Sequence, residues 1–220
     1  MTSLLIDTCT EQCIIVFFEG ETVLYTGDIP KGHNSSRYAM IEVEKGLQKL
    51  GVKVGDLKYI AVGVGPGSYT GIRVGVTVAK TLAYAAKLPL VALCSLDGFI
   101  PDRDGTFMSI IDAKIGGAYF KVGSRGADEI SWNTGPSMEQ LKDIPHVCKV
   151  DYLVSPNSGQ LQNKMAKLYP QQLINWVDVT PSVSYLMSVA EQKFKCGEYS
   201  TEAAVEILYL RKTQAEIDKA

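Results

Sequence analysis

The chain lacks an excess of charge of either sign. Among its 220 residues, 22 lysines and arginines stand against 24 aspartates and glutamates, for a formal net charge of −2. No basic field is present to hold a nucleic-acid backbone unaided, so any role on nucleic acid requires a partner that supplies positive charge. Histidine is nearly absent. The two present, His33 and His146, are far apart in sequence, and no H-E-x-x-H or H-x-x-x-H pair exists. That removes the usual ligands of a metalloprotease or an iron site. There is no G-x-S-x-G elbow, and Ser68 has no obvious base beside it. No apolar run approaches the ~18 residues of a membrane-spanning helix. Met1-Thr2-Ser3-Leu4-Leu5-Ile6 runs straight into Asp7 without a charged region, an apolar region and a cleavage site in succession, so a cytoplasmic location is expected. The five cysteines (Cys9, Cys13, Cys94, Cys148 and Cys196) are odd in number and never spaced C-x-x-C. Reduced thiols are therefore expected, with Cys9 and Cys13 as small buried residues rather than a bridge across a tight turn.

What the chain does contain is the composition of a globular protein, 46% hydrophobic and 21% charged. Strands are expected over 3–9, 12–19 and 22–28, followed by a break at Pro30-Lys31-Gly32. Ser35 or Ser36 offers an N-cap for a helix reaching Leu50, in which Met40, Val43, Leu47 and Leu50 recur at helical spacing. Gly51 ends it. The apolar run 59–64 reads as a buried central strand, 71–87 as a long helix and 89–93 as another strand. The order is βββαβαβ. The second half repeats it, with strands over 107–113, 118–123 and 129–133, a short helix over 137–144, a strand over 152–155, a helix over 160–168 and a strand over 173–177. A helix over 182–195 and a docked tail over 202–211 follow. Leu4-Leu5-Ile6-Asp7-Thr8 is echoed by Ser109-Ile110-Ile111-Asp112-Ala113. The expectation is an α/β fold of two duplicated lobes, 1–104 and 105–220.

Three features bear on chemistry. Asp7 and Asp112 each end the first strand of a half. A facing pair of such carboxylates can hold Mg²⁺ through water. Alternatively, each merely caps the turn after its strand. The stretch Gly65-Pro66-Gly67-Ser68-Tyr69-Thr70-Gly71 places a glycine-rich turn at a helix N-terminus, which suits an anion, or is simply a tight turn. It has neither the Lys-Ser/Thr of a phosphate-binding loop nor dinucleotide spacing. In the helix that follows, Gly71, Gly75, Ala79 and Ala83 recur every four residues, leaving room for a closely approaching helix. That helix belongs either to this chain, over 36–50, or to a partner.

Ile6-Asp7-Thr8-Cys9-Thr10 resembles the I-D-T-A/S-T opening of the TsaB (YeaZ) family. Gly65-Pro66-Gly67-Ser68-Tyr69-Thr70-Gly71-Ile72-Arg73-Val74-Gly75 resembles its G-P-G-S-F/Y-T-G signature with the R-I/V-G that follows. Ile111-Asp112-Ala113-Lys114 and Tyr209-Leu210-Arg211 resemble two later motifs, and His33 sits where the family commonly has a histidine. Gly117 and Ile207 depart from the pattern. The resemblance implies an actin/Hsp70-like (ASKHA, RNase H-like) fold. It also implies a non-catalytic paralogue of the catalytic subunit TsaD, without that subunit's H-x-x-x-H metal site. Such a protein is expected to bind TsaD, help recruit the ATPase TsaE, and support threonylcarbamoyl transfer to the adenosine beside the anticodon of tRNAs reading ANN codons. Contact with tRNA would be through the complex only, and a homodimer is expected when the chain is alone. No cofactor of its own is implied, although ATP or ADP with Mg²⁺ can sit at the shared interface. On this basis the expected partner surface comprises Ser68, Tyr69, Arg73, Gly75, Ala79, Ala83, Met40, Val43 and Leu47. A nucleotide-like cleft would use Asp7, Thr8, Gly65, Gly67 and Asp112. The rival reading is an active ATP-dependent phosphotransferase of the same fold.

Overall fold

A computed structural model describes residues 1–30, 35–114, 117–127, 129–144, 149–171 and 173–210. Contacts divide the chain into two units. Among the described residues, one comprises Met1–Ser95 with Ser182–Leu208, the other Leu96–Pro181 with Tyr209 and Leu210.

The first unit is built on β1 (Ser3–Asp7), β2 (Ile14–Glu19), β3 (Thr22–Thr26), β4 (Ile60–Gly63) and β5 (Leu90–Leu93). Their order in the sheet is β3-β2-β1-β4-β5. β1 runs parallel to β4, and β4 to β5, while β2 and β3 are antiparallel neighbours. Alternating residues explain why β1, β2, β4 and β5 read as largely apolar runs: both faces are covered. Leu4, Ile6, Ile15, Phe17, Ile60, Val62 and Leu90 lie in one core with α1 (Ala39–Leu50) and α2 (Tyr69–Ala86). Leu5, Val16, Phe18, Tyr59, Ala61, Val91 and Leu93 lie in another with Leu186, Met187 and Ala190 of α4 (Val183–Lys195). Each fully buried aliphatic side chain contributes about 1.5–3 kcal/mol. Thus α4, which follows the second half in sequence, covers the first unit's sheet. Lys58 Nζ and Tyr59 Oη reach Glu191 at 2.7 and 3.0 Å, and Phe194 stacks on Tyr59 at 4.6 Å. The tail returns too. Ala203 and Val205 are buried, and the Leu208 amide donates to Val64 O at 2.9 Å.

The second unit contains β6 (Gly105–Asp112), β7 (Gly117–Gly126), β8 (Glu129–Trp132), β9 (Ser137–Gln140), β10 (Tyr152–Ser155), α3 (Gly159–Leu168) and β11 (Trp176–Asp178). Its sheet order, β11-β10-β6-β7-β8, repeats that of the first unit strand for strand. The fold is thus the duplicated α/β one expected. The repeat extends to the turns before α2 and α3: Pro66 and Pro156 each stand two residues before the serine, Ser68 or Ser158, at the helix N-cap. One expectation fails. Residues 137–144 form β9 and a single 3₁₀ turn, Leu141–Asp143, instead of a helix. β8 pairs only with 123–126 of the ten-residue β7, and β9 fills the remaining edge, from Ser137↔Phe120 to Gln140↔Gly117. Likewise α1 begins at Ala39 after a 3₁₀ turn, Ser35–Tyr38, without a side-chain cap.

Candidate functional site

Asp7 ends β1 and is buried, 6% exposed. Its Oδ1 accepts the Cys9 amide at 2.8 Å, closing an Asx turn. Burial raises the Asp7 carboxyl above its ordinary pKa, and the Cys9 amide and the Ser95 hydroxyl draw it partly back. Ser95 Oγ nonetheless meets no partner in hydrogen-bond geometry among the described residues. Cys9 Sγ donates to Gly63 O at 3.4 Å. Burial, then the Asp7 charge, pushes its thiol well up, and the same two causes push Cys13 up to about 12. Neither is a thiolate nucleophile at neutral pH. Both are free thiols, as is Cys196, while Cys148 lies outside the described residues.

Asp112 ends β6 in the same way. Its Oδ1 accepts the Lys114 amide at 2.9 Å, the same i to i+2 turn. Its Oδ2 is held by Lys164 Nζ at 2.8 Å, with Lys114 Nζ at 3.9 Å. The first carboxylate is therefore enclosed and the second already neutralised. Turn capping accounts for both, and the paired-aspartate metal reading is not supported by either environment. Among the described residues, no three His, Cys, Asp or Glu side chains come together to hold a metal ion. Nor, among the described residues, is any helix long and apolar enough to cross a membrane.

The glycine turn packs on the Asp7 turn. Gly65 and Gly67 lie in it at φ 106° and 159°. The Ser68 amide donates to Cys9 O at 2.7 Å, and Thr8 Oγ1 donates to Gly71 O at 2.6 Å. Ser68 Oγ caps α2 by accepting the Gly71 amide at 3.3 Å. The donors at this helix start are thus partly engaged by the chain itself.

The small-residue stripe requires a correction. Gly75, Ala79 and Ala83 face the chain's own sheet, not outward: a Cβ at Gly75 would fall 2.4 Å from Thr8 Oγ1, and Ala79 and Ala83 are 0% and 1% exposed. Val43 of α1 is also fully buried. These four belong to the first core, and no partner helix reaches them. The short side chains let α2 sit close to β1 and β4. The outward residues of α2 include Tyr69, Arg73, Thr77, Thr81 and Tyr84, with the Arg73 guanidinium 3.8 Å from the Tyr69 ring centre. Thr77, Thr81 and Tyr84 escaped the sequence reading, although their spacing of three or four residues along the helix from Arg73 was available to it. On α1, Met40 and Ile41 are exposed. Met40 and Leu47 line a shallow groove with Glu44, Gln48, Gly51, Val52 and Lys53. His33 lies outside the described residues.

The family model for tRNA N6-adenosine threonylcarbamoyltransferase (TsaD) matches residues 29–120. The tRNA threonylcarbamoyladenosine biosynthesis protein TsaB of Bacillus subtilis is 39% identical over 124 residues, covering 54% of this chain and 53% of that protein. TsaB of Escherichia coli is 27% identical over 226 residues, covering 98% of this chain and 96% of the relative. The structure of YeaZ from Pseudomonas aeruginosa superposes with a TM-score of 0.75 at 22% identity, covering 94% of this chain and 98% of that one.

Proposed function

Because this chain belongs to the TsaB (YeaZ) family, we propose that it is a non-catalytic subunit in tRNA threonylcarbamoyladenosine biosynthesis, docking the transferase TsaD through the outer faces of α1 and α2. The observation that carries this reading is the division of α2 into two faces. Its small residues are used up against its own sheet, and its outer face presents Tyr69, Arg73 and Tyr84. Aromatic and arginine side chains are the residue types that dominate binding energy at interfaces. Met40 and Ile41 extend an apolar surface along α1.

The chemistry of the two aspartates favours this over the phosphotransferase alternative. Asp7 is enclosed, and Asp112 is matched by the Lys164 cation. A divalent ion would have to displace a lysine at one position and open a core at the other. With a net charge of −2, contact with tRNA would come through the complex, and recruitment of TsaE would follow TsaD docking. A homodimer would use the same faces when TsaD is absent.

The test is co-purification with the TsaD of the same organism, followed by tRNA modification with and without this chain. Binding plus a dependence of modification on this chain is the expected result. Modification that proceeds equally well without it rejects the role. Micromolar binding of ATP with Mg²⁺ by the isolated chain, measured by calorimetry, would favour the phosphotransferase instead.

A further inference from the structure

We infer that Thr8 is a positioning residue that pins the first turn of α2 and so sets the orientation of the outward Tyr69–Arg73 pair. This rests on the docking role proposed above. Thr8 follows Asp7 at the end of β1 and is 2% exposed. Its Oγ1 donates to Gly71 O at 2.6 Å. Its carbonyl oxygen lies 2.1 Å from where a Cβ at Gly71 would be, and its Oγ1 lies 2.4 Å from the corresponding point at Gly75. The threonine thus fills the gap left by two glycines one turn apart. Next to it, Cys9 O accepts the Ser68 amide at 2.7 Å, and Asp7 Oδ1 fixes the turn by accepting the Cys9 amide.

The first turn of a helix has amides without intrahelical partners and frays readily. The cap made by Ser68 Oγ is long, at 3.3 Å, and Ser68 itself is exposed. The buried Thr8 bond therefore restrains the turn that carries Tyr69 and Arg73, beside the bond from the Ser68 amide to Cys9 O at 2.7 Å. The cation–π contact between those two residues, at 3.8 Å, presents them as one preformed unit. An interface that finds such a unit already ordered avoids the cost of ordering it on binding.

The experiment compares the full-length chain with Thr8→Val, which keeps the shape and removes the donor, and Thr8→Ser, which keeps the donor. Thr8→Ala replaces valine if that variant folds poorly. Met187→Ala, on the opposite face of the sheet, supplies a chain of lowered stability with the pin intact. Amide exchange of Ile72, Arg73 and Gly75 and the affinity for TsaD are both measured. Loss of one net hydrogen bond predicts roughly tenfold faster exchange and roughly tenfold weaker binding in Thr8→Val. Both should return in Thr8→Ser and be absent from Met187→Ala. Unchanged exchange in Thr8→Val overturns the pin. Faster exchange with unchanged affinity overturns its role in docking, as does an equal loss of affinity in Met187→Ala. If the unaltered chain does not bind TsaD, the proposed function fails, and the exchange data alone then decide whether Thr8 pins the helix.

Discussion

The Asp7 carboxyl lies directly over the α-carbon of Gly63. A Cβ at position 63 would fall 2.3 Å from Asp7 Cγ and 2.4 and 2.6 Å from its two oxygens. The last residue of β4 therefore has no side chain because the last residue of β1 occupies that space. Gly63→Ala is expected to lower stability by about 1–3 kcal/mol, the usual cost of overpacking. Asp7→Gly should recover part of that loss when the two are combined. Denaturant unfolding of the two single variants and the double variant measures the coupling. Strict additivity would show that the two residues do not compete for this space.

Position 75 tests the inner face of α2. A leucine there has no room, since even a Cβ would meet Thr8 Oγ1 at 2.4 Å. Gly75→Leu is expected to yield unfolded or insoluble protein, not a folded subunit that has merely lost its partner. Circular dichroism and thermal unfolding check this. A folded Gly75→Leu variant of ordinary stability would contradict the packing described.

The outer face should behave in the opposite way. Tyr84 is 77% exposed, so Tyr84→Ala should change stability by no more than about 0.5 kcal/mol, and Arg73→Glu reverses a charge on the same outer face. Binding to TsaD should weaken by about 2 kcal/mol for at least one of them, roughly thirtyfold. Differential scanning fluorimetry beside calorimetric titration separates the two effects.

Glu42 supplies a pH signature. It is 2% exposed and accepts from Tyr25 Oη at 2.7 Å, from the Asp28 amide at 3.1 Å and from Lys45 Nζ at 2.6 Å. Burial alone would raise its pKa, but the three donors outweigh it and hold the carboxyl below its ordinary value. Its stabilisation is therefore complete above the unfolded-state pKa, near 4.5, and is lost as pH falls through the lower folded-state value. Glu42→Gln should flatten that acid limb of the stability curve. Glu42→Ala should cost about 1–3 kcal/mol at neutral pH, because it strands the Tyr25 hydroxyl and the Asp28 amide. Urea unfolding from pH 3 to 7 measures both.

Much of the fold is legible in local sequence because local forces decide it. Gly51 ends α1 in the left-handed conformation, at φ 66°, and Ser68 caps α2. Runs such as 4–6 and 60–63 carry no polar side chain because each is covered on both faces. The echo of Ile6-Asp7 in Ile111-Asp112 reports a true repeat, since both aspartates close the same turn and both sheets share one strand order. β9 was misread because Met138 to Gln140 carry no strand pattern of their own. The vacant edge of the long β7 orders them as a strand.

The sequence by itself determined most of the elements and the duplication, which follow from residue type and short-range spacing. It could also show that α2 carries small residues every four positions, but not which way they face. Only the tertiary structure decided that Gly75, Ala79 and Ala83 turn inward and that Tyr69, Arg73 and Tyr84 turn outward. The physical reason is that β1 and its turn approach α2 from sixty or more residues away. A periodicity fixes a stripe on a helix, and only the neighbour that fills it fixes whether the stripe is core or surface.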